Sequence, residues 1–332
     1  MPISFKEDHI SQIPALLMLE KLGYTYLTPD EALALRGGNL ANVLLEPVLR
    51  KQLAAINVVQ VSSVRTTVFS EQNITAGIDA LRNIPMDEGF MEASQTVYDL
   101  LTSGKTLEQI VDGDRKSFVM QYIDWKNPRN NVFHVTEEFA VSRTGMTETY
   151  RPDIVLFVNG IPLCVIECKR PDVKDSIEQA ISQHLRNQKA DGIRSLYLYS
   201  TLLLAINRQE GSYATTATPE KFWARWREQF TNREEEVRYR QELERVVNEP
   251  LLDDKLFGER FGYVRRNFEE LYRQPVIPSV QDEYLYNLCR PERLLQLMYG
   301  FTLYDDGIKK VARYQQYFAV RQTMQRIRHI EG

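Results

Sequence analysis

Arg151-Pro152-Asp153-Ile154-Val155-Leu156-Phe157-Val158-Asn159-Gly160-Ile161-Pro162-Leu163-Cys164-Val165-Ile166-Glu167-Cys168-Lys169 is the stretch on which the fold turns. It holds two near-continuous apolar runs, 154–158 and 163–168, on either side of Asn159-Gly160. Asn-Gly between apolar runs is a strong hairpin signal, because both residues tolerate the positive φ of a tight turn. Strands that are apolar on both faces belong in the middle of a sheet with helices on each side. Two central strands of a mixed α/β core are therefore predicted here.

Outward from the hairpin the pattern is consistent with that core. Upstream, 132–135 and 138–141 are short and rich in β-branched and aromatic residues. Downstream, Val173, Ile177, Ala180, Ile181 and Leu185 predict a helix over 173–189, and 195–206 reads as a further apolar strand. Near the N-terminus, Ile10, Ile13, Leu16, Leu17, Leu19 and Leu22 predict a helix over 5–23, closed by Gly23. A second helix is expected over 40–55, and more helical pattern covers 75–110. Beyond residue 215 the chain becomes charge-laced and helical over 221–247, with Glu236 and Arg240 four apart; Pro250, Pro275 and Pro278 then punctuate it. These shifts divide the chain into 1–215, a helical linker over 216–260, and 261–332.

Composition sets the class. The 332 residues are 43% hydrophobic and 26% charged, ordinary for a globular protein. No apolar run reaches the roughly 18–20 residues needed to span a bilayer, and Lys6, Glu7 and Asp8 stand where a signal peptide needs an apolar core. Cys164, Cys168 and Cys289 form no CxxC pair and read as free thiols, so a cytoplasmic location is expected. Net charge is −4, with 16 basic against 21 acidic residues up to position 170 and 25 against 24 after it. Any nucleic-acid contact must be local or supplied by partners.

The chemistry lies at the strand ends. Glu167 and Lys169 are two apart on one strand and share a face. Asp153 opens the preceding strand, and parity decides whether it joins them. A two-residue loop pairs 153 with 166 and turns Asp153 away. A three-residue loop, 158–160, makes Asp153 and Glu167 diagonal neighbours about 7–8 Å apart. An active site here needs an odd loop, or a bulge that restores the parity. With it, two carboxylates and the Cys168 main-chain carbonyl make an all-oxygen site suited to Mg²⁺. The bland alternative is a solvated salt bridge from Glu167 to Lys169 or Arg170.

Asp-x13-Glu-x-Lys across a hairpin resembles the PD-(D/E)xK nucleases. With Asp124-Trp125-Lys126-Asn127-Pro128-Arg129-Asn130-Asn131, it is similar to the N-terminal nuclease domain of the restriction (HsdR) subunit of type I restriction-modification enzymes. The likeness covers nearly the whole chain. It implies a PD-(D/E)xK core with a central mixed sheet flanked by helices, followed by a helical C-terminal segment. It implies Asp153 and Glu167 as metal ligands, Lys169 as the catalytic lysine, and double-stranded DNA as substrate. It also implies modification (HsdM) and specificity (HsdS) subunits as partners, and cutting that follows ATP-driven translocation. The family is RecB-like and adds Gln-x-x-x-Tyr on the next helix. Gln183 matches, whereas Asn187 stands at the tyrosine position. A glutamate on the first helix is also implied: Glu7 is the candidate, with Glu20 and Glu46 as rivals.

Two further segments invite nucleotide readings. Ser103-Gly104-Lys105-Thr106 lacks the earlier P-loop glycine (Asp99 stands there) and follows a helical stretch, so it is rejected. The basic amphipathic stretch carrying Lys309, Lys310, Arg313, Arg321, Arg326 and Arg328 resembles the segment before the helicase P-loop of type I subunits. There a glutamine reads the adenine of ATP, and Gln316 is the matching position. No Walker motif follows it, so 261–332 is expected to be the start of a motor domain. His9, His134, His184 and His329 show no ligand spacing, and Trp223 and Trp226 are expected to pack on the core. The rival functions are a stand-alone repair or recombination nuclease of the same fold, and a non-catalytic docking module of a motor complex.

Overall fold

The computed structural model describes residues 11–62, 65–251 and 255–330. Its centre is a six-stranded mixed sheet, in spatial order β1 (Thr25–Tyr26), β2 (Phe133–Glu137), β3 (Ile154–Val158), β4 (Ile161–Cys168), β5 (Leu202–Ile206) and β6 (Gly211–Ala214). β1 is parallel to β2 and β4 to β5, and the other neighbours are antiparallel. The hairpin strands β3 and β4 hold the two middle places, and every residue of both is buried. That is the environment a continuous apolar run requires.

Helix α1 (Ile13–Lys21) packs on β2 and on a later helix, α3 (Val280–Cys289). Tyr24 Oη donates to the Cys289 carbonyl at 2.5 Å. Helix α2 (Ser176–Asn187) links the parallel strands β4 and β5, and sets Ile177, Ala180 and Ile181 on Ala205. Those residues recur at i, i+3 and i+4, one helical face. Helices α4 (Pro291–Gly300) and α5 (Tyr314–Ile330) complete the C-terminal part, and the main hydrophobic core extends from Ile13 to Phe318, beside the smaller cluster under α2.

Several expected elements change. The first helix is described only from Ile13, since 1–10 lie outside the described residues. The second runs over Glu46–Ile56. The 75–110 stretch divides into helices Glu71–Arg82 and Phe90–Ser103 and a strand, Lys105–Val111, hairpinned to Asp114–Met120. Gly104, at φ +78°, ends the second helix, after which burial alternates with period two. The expected strand over 138–141 shrinks to Val141–Ser142 because Glu138, at φ +45°, leaves the ladder. The 195–206 segment opens as a short helix, Arg194–Tyr197, before β5. The charged helix starts late, at Arg233, where the Asn232 side chain accepts from Glu235 N. Lys309 and Lys310 lie on a hairpin (Thr302–Asp305 with Ile308–Val311) and not on α5.

Candidate active site at the ends of strands β3 and β4

The hairpin reaches the required parity by a bulge and not by an odd loop. Its turn has two residues, since Val158 pairs with Ile161, and Asn159 and Gly160 both have positive φ, +52° and +83°. Such a turn continued regularly would set Asp153 opposite Ile166. The register shifts between Pro162 and Cys164, so Ile166 pairs with Ile154 and Glu167 falls opposite Asp153. The three-residue loop is not formed; a bulge at Leu163 does its work. Proline has no N–H for the ladder and collects at bulges, so Pro162 was the available signal.

The turn is two residues long because Asn159 is locked. Its side chain is fully buried, accepting from Val132 N (2.9 Å) and donating to the Tyr122 carbonyl (3.0 Å) and Asn131 Oδ1 (2.8 Å). Asn131 in turn bonds both backbone groups of Asp124, whose carboxylate accepts from Lys126 N, Asn127 N and Asn130 Nδ2. A Cβ on Gly160 would sit 2.6 Å from the Leu45 carbonyl. The Asp-Trp-Lys-Asn-Pro-Arg-Asn-Asn run thus braces the hairpin.

At the open end, the Asp153 carboxylate accepts from Cys168 N at 2.8 Å and faces Lys169 Nζ at 3.4 Å, both through Oδ2. Glu167 is fully buried; its Oε2 accepts from Gln183 Nε2 at 2.6 Å, and its Oε1 has no hydrogen-bond partner. Burial pushes the Glu167 carboxyl well above the usual carboxylate range; the Asp153 charge adds to the rise, while Lys169 and Arg186 oppose it. Arg170 turns away to Asp172. The bland surface salt bridge is therefore not what forms.

A buried carboxylate oxygen without a donor, beside a second carboxylate, fits a hard cation. Asp153 and Glu167 could hold Mg²⁺ with the Cys168 carbonyl. Among the described residues no group of three His, Cys, Asp or Glu side chains gathers, so carbonyl, water or phosphate oxygens would complete the shell.

With the site described, comparison with known proteins is direct. Residues 4–222 match the model of the type I restriction enzyme R protein N terminus. The chain belongs to that family. It is 24% identical over 329 residues to a putative type I restriction enzyme MjaIXP endonuclease subunit of Methanocaldococcus jannaschii, covering 96% of this chain and 28% of that protein. It is 25% identical over 331 residues to the type I restriction enzyme HindI endonuclease subunit of Haemophilus influenzae, covering 96% and 26%. The chain thus spans about a quarter of the length of these relatives.

The remaining expected residues of this R-protein N-terminal region are distributed as follows. Glu7 and His9 lie outside the described residues. Of the rivals, Glu46 is ion-paired with Arg50 and Arg82. Glu20 sits near Tyr26 and Tyr272, whose hydroxyls are pushed up by burial first, with the Glu20 charge adding a smaller part. Asn187 is buried, and its Nδ2 approaches the Tyr197 hydroxyl at 3.5 Å. Tyr197 thus supplies a tyrosine hydroxyl beside Asn187 from a different helix, a placement no spacing rule reveals. His184, pushed down to about 4 by burial, is neutral. Its Nε2 donates to the Leu204 carbonyl (2.9 Å), so its Nδ1 accepts from Tyr197 Oη (3.0 Å). His184 is a core residue, and Trp223 packs against its ring. Trp226 packs against Tyr213, Tyr317 and Phe318.

Gln316 Oε1 accepts from Arg313 N at 2.8 Å, across the first turn of α5. Its residue also lines a cavity of about 670 Å³ between that helix, the Thr302–Asp305/Ile308–Val311 hairpin and β6. The rejected P-loop is a helix end followed by a strand, with no preceding strand.

Proposed function

We propose that this chain is the Mg²⁺-dependent DNA-cutting part of a type I restriction enzyme R subunit, built on a PD-(D/E)xK, RecB-like core. One observation carries the reading. The bulged hairpin sets Asp153 opposite Glu167, with Lys169 against Asp153 and one Glu167 oxygen buried without a donor. Bound there by Asp153, Glu167 and the Cys168 carbonyl, Mg²⁺ would supply Lewis-acid polarisation of the scissile phosphate and a lowered pKa for the attacking water. The chain's own residues do the rest. Lys169 orients that water or neutralises charge building on the phosphate. Gln183 holds the Glu167 carboxylate in one orientation, and Tyr197 with His184 packs the helix that carries Gln183. Arg186, over the Tyr150 ring at 4.4 Å, puts a cation on the same side for a DNA backbone.

The wider setting is our reading of the resemblance, for a chain that spans about a quarter of these relatives. We assign 1–215 to the endonuclease, 216–260 to a linker and 261–332 to the start of an ATP-dependent motor. Gln316 and its cavity are the point where the adenine of ATP would be read. Double-stranded DNA is the substrate, modification (HsdM) and specificity (HsdS) subunits choose where the complex binds, and the complex works in the cytoplasm. Among the described residues no helix is long and apolar enough to cross a membrane.

The test is Lys169→Ala in the full complex, with DNA cutting and ATP hydrolysis assayed separately. Lost cutting with retained ATPase is expected. Intact cutting would overturn the assignment.

A further inference from the structure

We propose that Gln12 is a positioning residue for Asp153, held in place by a buried clamp between Ser11 and Gln281 of α3. The inference rests on reading Asp153 as a cation ligand, and it adds what fixes that ligand.

Asp153 lies one residue beyond both of its ladders. The last pair of β2 with β3 is Glu137 with Ile154, and the last pair of β3 with β4 is Ile154 with Ile166. Regular sheet bonding therefore does not fix its backbone, although its carboxylate must be held to a fraction of an ångström to share a cation with Glu167. Two groups outside the ladders hold it: Glu138 N and Gln12 Nε2 both donate to the Asp153 carbonyl at 3.0 Å. Gln12 is a nearly buried amide, and it reaches across 141 positions of sequence.

Gln12 is itself placed by its neighbour. Ser11 is fully buried; its hydroxyl donates to Gln281 Oε1 at 2.6 Å, and Gln281 Nε2 donates back to the Ser11 carbonyl at 2.8 Å. This reciprocal pair spans 270 positions and ties the start of α1 to the start of α3. A glutamine side chain that satisfied only itself would need no such partner. Here both amide ends of Gln281 are committed to one residue, and that residue adjoins the one touching Asp153. A helix that follows the proline-punctuated stretch thus holds the backbone of a catalytic-site carboxylate.

The experiment is Mn²⁺ binding by the 332-residue chain, followed by calorimetry and by the electron paramagnetic resonance signal of the bound ion. Partners one step behind a metal ligand typically change affinity about 10–100-fold when removed. Gln12→Leu is expected to weaken Mn²⁺ about tenfold or more and broaden the bound-ion spectrum, with the thermal midpoint near that of the parent. Gln281→Leu is expected to weaken it in the same direction. The double variant is expected to lose little beyond Gln12→Leu, because both changes act through one contact. If Gln12→Leu does not fold, Gln12→Met, unbranched and as long, decides by the same criterion. Parent-like Mn²⁺ affinity in the folded Gln12 variant, with binding lost in Asp153→Asn, would overturn the positioning role and leave the site reading intact. Parent-like affinity in Asp153→Asn would overturn both.

Discussion

Glu137 and Glu167 look alike by position and burial, yet they are opposite kinds of residue. Both stand at the end of a central strand, both are fully buried, and each keeps one carboxylate oxygen without a hydrogen-bond partner. Burial raises the pKa of both. They lie on opposite faces of the sheet, since Glu137 pairs with Ile154 and Glu167 falls opposite Asp153. The difference is what each one meets. Glu137 Oε1 accepts from Arg260 Nε at 2.7 Å, a cation supplied by the chain itself, which opposes the rise. Glu167 accepts from a neutral amide, makes no ion pair of its own, and faces a second carboxylate whose charge adds to the rise while Lys169 and Arg186 oppose it. Burial of an acid does not mark a site; the sign of its nearest charge does.

The largest expected effect tests the chemistry. In the full complex, Asp153→Asn should lower cutting by about a thousandfold or more while ATP hydrolysis persists, and Glu137→Gln should leave cutting near the parent level. Equal losses in gel cleavage assays would erase the contrast. Next, Arg260→Met should destabilise the fold by about 2–3 kcal/mol, less than for a fully buried pair because Arg260 is partly exposed. Adding Glu137→Gln should recover most of that in thermal unfolding, since no buried anion is then left uncompensated. A fold indifferent to Arg260→Met would show that Glu137 needs no cation.

Smaller, and of opposite sign, is Glu167→Gln. A carboxyl whose folded pKa is raised contributes stability below its unfolded pKa and loses it as pH rises through the folded value. Above the ordinary carboxylate range that stability is forfeited in the cation-free site, so the amide, which does not titrate, should raise stability at neutral pH. Unfolding midpoints in chelator decide this, and a loss of stability would break the comparison. Last comes a buried cation with no anion. Lys309 is pushed down to about 7 by burial and donates to the Ser200 carbonyl at 3.0 Å. Its folded pKa lies below the unfolded one, so the unfolded chain binds more protons between about pH 7 and 10. Stability should rise across that window by up to about 1.4 kcal/mol per pH unit from this group. Lys309→Met should flatten the slope, read from denaturant midpoints against pH.

The central hairpin was legible because two unbroken apolar runs around Asn-Gly admit few other folds. The mixed core with helices around it followed from the change of period on either side. The parity of the site was only half legible: an odd loop or a restoring bulge would each meet the requirement, and Pro162 was the residue that pointed to the bulge. Gln183 was legible only through the resemblance, as the glutamine of its Gln-x-x-x-Tyr element, and the structure brings its amide to Glu167. Tyr197, Gln12 and Gln281 left no local signal, because each acts through tertiary contacts over ten to 270 positions. The edge strand Thr25–Tyr26 is too short to show any period.

The bulge at Leu163 bears on how this hairpin can change in length over time. A single residue added or lost between Asp153 and Glu167 would rotate one acid to the far side of the sheet. Changes in twos would pass, and so would a change of one that also removes the bulge. Length variation in this hairpin should therefore come in even steps, or as a longer turn coupled to a regular β4 without proline at the second position.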